Sequence, residues 1–227
     1  MSEAAKGAAG LAQRVLEMSG ARYERLKRAL DVTFAALGLL VLGPLMAVIA
    51  LVIRWRMGAP VLFRQVRPGR FERPFTLLKF RTMHDTRGAD GELLPPPQRI
   101  TPLGVWLRKT SLDELPQLFN VLRGDMSFVG PRPLLASYLP YYRERERLRH
   151  RVRPGITGLA QVSGRNRLPW DERLELDARY AETLSLALDA RIVLATLVKV
   201  LRRSDVLDIP LDHGGFIKER AARGEGG

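Results

Sequence analysis

The sequence predicts a helix-rich α+β protein associated with a membrane, and three observations carry that expectation. Val32 to Ile53 is a run of 22 residues without a charge. Two apolar stretches, PVLFRQV and FTLLKFRTM, flank Arg67-Pro68-Gly69-Arg70 and read as the strands of a β-hairpin. Further on, apolar residues recur at helical spacing from Leu112 to Leu122, and the stretch from Ala187 to Leu201 reads as an amphipathic helix.

The apolar run sets the membrane question. At about 1.5 Å per residue a helix of that length reaches roughly 33 Å, close to a bilayer core of about 30 Å. Gly43-Pro44 falls at its middle, where proline removes a backbone donor and clashes with the preceding turn. Both flanks are basic, with Arg22, Arg25, Lys27 and Arg28 before it and Arg54 and Arg56 after. A crossing helix should show asymmetry in its positive flanks. A re-entrant helix–break–helix and an ordinary span both remain open from the residues alone. Tyr23 to Leu30, with bases among Leu26, Ala29 and Leu30, suits a helix at headgroup level. The first twenty residues, rich in Ala and Gly, read as a loosely held, partly helical extension.

Composition narrows the chemistry. The 227 residues carry a net charge of +13, so the expected partners are anionic. Arginine supplies 31 of the 37 basic residues, and its planar fork grips phosphate bidentately. The absence of cysteine excludes disulfides, thiolate nucleophiles and cysteine metal sites. His84, His150 and His213 lie far apart, which leaves carboxylates and arginines to do any chemistry. A nucleic-acid partner is not expected, because the aromatics are not interleaved with bases.

Candidate chemistry gathers in WLRKTSLDELPQLFNVLRGDMSFVGPRP. Ser111 and Glu114 have the spacing of a capping box, with Pro116 distorting the helix start. Asp113 and Glu114 then fall in a first turn, where the macrodipole is expected to lower carboxylate pKa values. An ionised Asp there is a competent nucleophile or magnesium ligand, although acidic residues in first turns usually only cap. Around them Arg108, Arg132 in Pro131-Arg132-Pro133, Arg153, and Arg165 in Gly164-Arg165-Asn166-Arg167 sit in loops, as anion ligands do. Lys79 and Arg81 are two apart on the second strand and so share a face. YYRERERLRHRVR reads mostly as an exposed, self-paired helix.

From about Lys27 to Ser204 these strings resemble the monotopic phosphoglycosyl transferases, the bacterial sugar transferases. The resemblance lies in KRALD, LLKFRTM, SLDELPQLFNVLRGDMSFVGPRPL, LRHRVRPGITGLAQVSGRN and LALDARIVLATLVKVL. It implies a monotopic protein with a re-entrant helix broken at Pro44, a small hairpin and amphipathic interfacial helices. Gly43 departs from the serine often found there. The implied organisation is an N-terminal extension (1–21), a membrane hairpin (22–57), a catalytic domain (58–208) and a C-terminal tail (209–227).

The implied reaction moves a sugar 1-phosphate from a UDP-sugar to undecaprenyl phosphate, releasing UMP through an aspartyl intermediate on Asp113. Mg²⁺, or Mn²⁺, would lie near Asp113 and Glu114. Lys79, Arg81, Arg108, Arg132 and Arg165 would bind substrate, with Asp189 near the site. The resemblance points first to UDP-N,N′-diacetylbacillosamine, with UDP-glucose or UDP-galactose as the alternative and a non-catalytic basic scaffold as a remote one. It implies the cytoplasmic face of the bacterial inner membrane, membrane lipid as a partner, and downstream glycosyltransferases as further partners.

Overall fold

The computed structural model describes residues 3–164, 168–201 and 215–225, with side chains from residue 22 onward. Helix α1 (Glu3–Met57) leads into the antiparallel hairpin β1 (Leu62–Pro68) and β2 (Pro74–Phe80). The helices α2 (Pro96–Arg99), α3 (Pro102–Lys109) and α4 (Gln117–Arg123) follow. The parallel pair β3 (Ser127–Val129) and β4 (Gly155–Thr157) brackets α5 (Glu144–Arg147). The remaining helices are α6 (Leu159–Ser163), α7 (Trp170–Glu182), α8 (Leu186–Leu201) and α9 (Gly215–Ala222). The hairpin expected from sequence is present, with Leu62 opposite Phe80 and Pro68 opposite Pro74.

The apolar run forms part of α1, and from Arg22 to Met57 it is long and apolar enough to cross a membrane. The expected helix–break–helix is not seen as two elements. Helical residues continue through Gly43-Pro44, since a proline deletes a single donor and can kink a helix without ending it. Met46, Ile49, Ile53 and Met57 recur at helical spacing and pack on Phe80 and Leu107. Each buried side chain of this kind contributes about 1.5–3 kcal/mol. Nearer the start, Ala35 packs with Leu77, Val121 and Met126. Between these two packed stretches α1 carries bare apolar surface, with Leu40 75% and Val41 71% exposed.

Polar side chains fasten the helices. Asp31 Oδ1 accepts from Ser127 Oγ and the Phe128 amide, both at 3.1 Å, which pins α1 to β3. Asn120, fully buried in α4, completes the open edge of β2: its Oδ1 accepts from the Leu78 amide (3.0 Å) and its Nδ2 donates to the Thr76 carbonyl (2.7 Å). One amide side chain thus does for this strand edge what a third strand would do.

Two expectations are corrected. The segment from Arg143 to Arg153 is not an exposed self-paired helix. It forms α5 and the 3₁₀ turn Leu148–Arg151, and Glu146, Arg149 and His150 are buried. Its charges pair with other elements: Arg145 with Glu175 and Glu182 on α7, Arg149 with Asp177, and Glu146 with Arg220. Alternating charge reports amphiphilicity but not the partner. Residues 209–227, separated by sequence as a tail, include α9. Phe216 of α9 is fully buried beside Tyr138, Tyr142 and Trp170.

Replacing Asn120 with Leu should leave the Leu78 amide and the Thr76 carbonyl buried without partners. At about 1–3 kcal/mol for each stranded group, a loss of about 3 kcal/mol is expected. Thermal unfolding of the variant should show a midpoint roughly 6–12 °C lower.

Candidate active site

Local backbone geometry builds the site. Gly104 of α3 lies so close to β2's continuation that a Cβ would meet the Thr82 carbonyl oxygen at 2.0 Å. That contact lets α3 bring Arg108 alongside, where its Nε donates to Thr82 Oγ1 (3.0 Å). Ser111 then adopts a left-handed conformation (φ 56°), and a 3₁₀ turn, Leu112–Glu114, precedes α4. The capping box read from sequence does not form, because a left-handed Ser111 makes no cap bond and Pro116 delays the helix to Gln117. Glu114 faces cations instead of the Ser111 backbone.

Glu114 Oε1 accepts from Lys79 Nζ at 2.6 Å and from Arg132 Nη2 at 2.7 Å. Lys79 comes from β2 and Arg132 from the Pro131–Pro133 loop, so one carboxylate oxygen ties three segments together. Burial works against ionisation of Glu114, but Arg132 and Lys79 override it and hold the carboxyl well below its ordinary range. Asp113 is only 7% exposed, and no described residue hydrogen-bonds it. Burial pushes its pKa up to about 6 and the Glu114 charge adds to the rise, opposed by Lys79, Arg108 and Arg132. The expected lowering by a helix N-terminus is therefore reversed at Asp113, and at Glu114 lowering comes from ion pairing. Neutral pH still leaves Asp113 mostly ionised, buried and uncommitted, among three cations.

Lys79, Arg108, Asp113, Glu114 and Arg132 are thus brought together. Arg81 is not: it donates to the Met83 and Ala59 carbonyls (3.0 and 2.9 Å) and pairs with Asp85. It lies one residue beyond the end of β2, where strand alternation no longer fixes its face. Asp189 is not there either. Tyr23 (2.9 Å), Lys27 (2.6 Å) and Tyr180 (2.7 Å) donate to its two oxygens, fastening α8 to α1 and α7. Arg165 lies outside the described residues.

Sequence reasoning missed Arg149. Buried in the core, it donates to Asp177 Oδ2 and Tyr142 Oη and, at 2.7 Å, to the Arg132 carbonyl, which fixes the backbone of the residue that holds Glu114. Nothing in the alternating Arg/Glu pattern marked it.

Asp113 and Glu114 are adjacent hard-oxygen donors, and among the described residues no group of three or more acidic or histidine side chains gathers. Mg²⁺ is commonly held by one or two carboxylates plus substrate phosphates. The pair fits an ion that arrives with a diphosphate.

Fold and site together define a membrane-associated enzyme built to handle phosphate with carboxylates and arginines. Residues 22–203 match the family described as bacterial sugar transferase, and the chain belongs to it. It is 51% identical over 176 residues to an uncharacterized sugar transferase, EpsL, of Bacillus subtilis, covering 78% of this chain and 87% of that one. It is 45% identical over 187 residues to the UDP-glucose:undecaprenyl-phosphate glucose-1-phosphate transferase of Caulobacter vibrioides, covering 77% and 69%. With the galactosyl transferase CpsE of Streptococcus agalactiae it shares 42% identity over 196 residues, 79% of this chain and 43% of that longer one.

A carboxyl whose folded pKa lies above its unfolded value of 3.8 weakens folding as pH rises from that value through about 6. A rise of about two units corresponds to ~3 kcal/mol at most. Asp113→Asn should therefore raise the unfolding midpoint at pH 8 by several degrees, with the gain vanishing at pH 4. Differential scanning fluorimetry at the two pH values measures it, and a lower midpoint at pH 8 would contradict it.

Proposed function

We propose that the protein transfers a hexose 1-phosphate from a UDP-hexose to undecaprenyl phosphate, giving undecaprenyl-diphosphohexose and UMP. The observation that carries this reading is the division of labour between neighbours. Glu114 is held by Lys79 and Arg132, while Asp113 is left unbonded by the described residues among the same cations. The order of sugars given by sequence is reversed. An N-acetylated amino sugar came first there, but the relatives' activities on glucose and galactose favour a hexose.

In this mechanism Asp113 Oδ attacks the β-phosphorus of the donor as the bond to the bridging oxygen breaks. UMP leaves with that oxygen, and an acyl-phosphate to the sugar remains. A phosphate oxygen of undecaprenyl phosphate then attacks the same phosphorus and displaces the Asp113 carboxylate. Lys79, Arg108 and Arg132 offset the charge gathering on the phosphoryl oxygens. Mg²⁺ or Mn²⁺, held by Asp113 and Glu114 with the diphosphate, would supply further neutralisation.

UDP-glucose alone should release UMP up to about one equivalent per enzyme, and the Asp113 peptide should gain the mass of a hexose phosphate. Asp113→Asn should abolish both. EDTA should suppress both, and the burst should slow as pH falls through about 6. UMP that appears only after lipid is added would instead mean direct transfer, and a larger burst with an N-acetylated donor would overturn the choice of sugar.

The re-entrant, cytoplasm-facing topology is also proposed. Ala35 packs near Leu77 and Ile53 near Phe80, three residues apart on β2, or about 10 Å. A straight helix would separate Ala35 from Ile53 by about 27 Å, so a bend at Gly43-Pro44 is the economical way to bring both arms to one strand. Exposed Leu194, Leu197 and Val198 of α8 extend the apolar surface and suit a helix lying flat at the interface. Single cysteines at Ala5 and Asp90 should both resist an impermeant thiol reagent applied to intact cells. Labelling of one site alone would establish a span. Pro44→Ala should shift the segment towards that result.

A further inference from the structure

Arg132 holds Glu114, yet its own loop is short of anchors. Pro131 and Pro133 have no amide hydrogen, so the backbone on either side of Arg132 lacks donors. The Arg132 carbonyl is taken instead by Arg149 Nη2 at 2.7 Å. That guanidinium is buried and held from two other directions. Asp177 Oδ2 on α7 accepts from its Nη2 (2.8 Å) and Nε (3.2 Å), and Tyr142 Oη accepts from its Nη1 (3.1 Å). Asp177 supplies the counter-charge. The neutral hydroxyl of Tyr142 supplies direction, because a planar fork fixed at two points can aim its remaining donor one way only.

Tyr142 is placed in turn by α9. Phe216, fully buried, has its ring centroid 5.7 Å from that of Tyr142 and 4.8 Å from that of Tyr138. It lies 5.1 Å from Trp170, at the start of the helix that carries Asp177. Arg220, one turn further along α9, is buried and pairs with Asp171 of α7 (2.7 Å) and with Glu146 of α5. One face of α9 therefore braces both residues that aim Arg149. This helix lies beyond residues 22–203, which match the family.

We propose that Tyr142 and Phe216 are positioning residues through which α9, by way of Arg149, sets where the Arg132 guanidinium stands beside Glu114. The proposal rests on the reading of Arg132 and Glu114 as parts of a phosphoryl-transfer site and adds what governs their placement. Charge neutralisation by an arginine is short-ranged, and a displacement of about 1 Å can cost up to about 100-fold in rate. A packing role alone would need the Tyr142 ring and not its hydroxyl on a buried guanidinium.

The test uses the full chain in nanodiscs, with the UMP burst from UDP-glucose followed by rapid quench. Tyr142→Phe keeps the ring against Phe216 and removes the hydroxyl. The burst rate should fall roughly 10-fold, while the half-saturating UDP-glucose concentration changes less than about 2-fold. In an Arg132→Lys background the same substitution should slow the burst less than about 2-fold, because the effect travels through Arg132. Phe216→Leu keeps the site apolar but removes the ring, and should show the same dependence on Arg132. Hydrogen exchange at the Gly155 amide, which donates to the Pro131 carbonyl at 2.9 Å, reads the loop without substrate. It should quicken about 3-fold in Tyr142→Phe. A wild-type enzyme that releases no UMP overturns the reading of the activity. Gly155 exchange then decides the present proposal, which falls if exchange is unchanged. With a wild-type burst, the proposal falls if Tyr142→Phe slows neither background or slows both equally. If Tyr142→Phe fails to fold, the Phe216→Leu cycle decides on the same terms. If Tyr142→Phe depends on Arg132 and Phe216→Leu does not, the part assigned to α9 falls.

Discussion

The shared oxygen of Glu114 is the contact on which the rest of the site depends. Lys79 reaches it from a strand, Arg132 from a proline-bounded loop, and Glu114 itself from a turn set up by a left-handed Ser111. Two adjacent buried carboxylates repel, and the fold resolves the repulsion unequally. Both are desolvated; Glu114 takes the hydrogen bonds and stays ionised, whereas Asp113, without them, keeps its lone pairs. A carboxylate stabilised by two ion pairs makes a poor nucleophile, and one left without them retains reactivity. Conformational strain at Ser111 is consistent with this, since such backbone is retained where the surroundings overdetermine it.

Much of the fold could be read in the sequence because its signals are local. The turn at Pro68-Gly69 between apolar stretches gave the hairpin, Pro116 marked the disturbed start of α4, and the apolar stretch after Ala187 gave α8. What failed was long-range pairing. Ser111 and Glu114 stand at capping-box spacing, yet a lysine 35 residues upstream and an arginine 18 residues downstream compete for the same carboxylate and win. Asp189 was expected near the catalytic pair, but tyrosines from α1 and α7 had already taken its oxygens. The pair Asp113-Glu114 was legible as first-turn carboxylates with arginines in the loops around them, and its expected catalytic role came only from the family resemblance. Its electrostatic asymmetry was not, because that depends on which cation reaches which oxygen.

The apolar surface of α1 and the candidate catalytic pair share their scaffolding. The same strand, β2, supplies Lys79 to the site and Phe80 and Leu77 to the packing against α1. Neighbouring side chains on a strand point to opposite faces, so Leu77 and Lys79 share one side of β2 and Leu78 and Phe80 the other. In the proposed topology, insertion depth and the position of the candidate carboxylates would be set by one element, β2, rather than by a flexible linker. A lipid-borne phosphate has a fixed height above the bilayer core, and a site supported in this way meets it without adjustment.

The seat of α9 bears on how the chain is handled as a material. The family match ends at residue 203, yet Phe216 fills a pocket between Tyr138, Tyr142 and Trp170, and Arg220 reaches buried Glu146. A chain trimmed to the family boundary would uncover an aromatic hollow and leave a buried carboxylate without its counter-ion. Both defects favour self-association over solubility. Residues 215–225 thus act as a built-in stopper against aggregation.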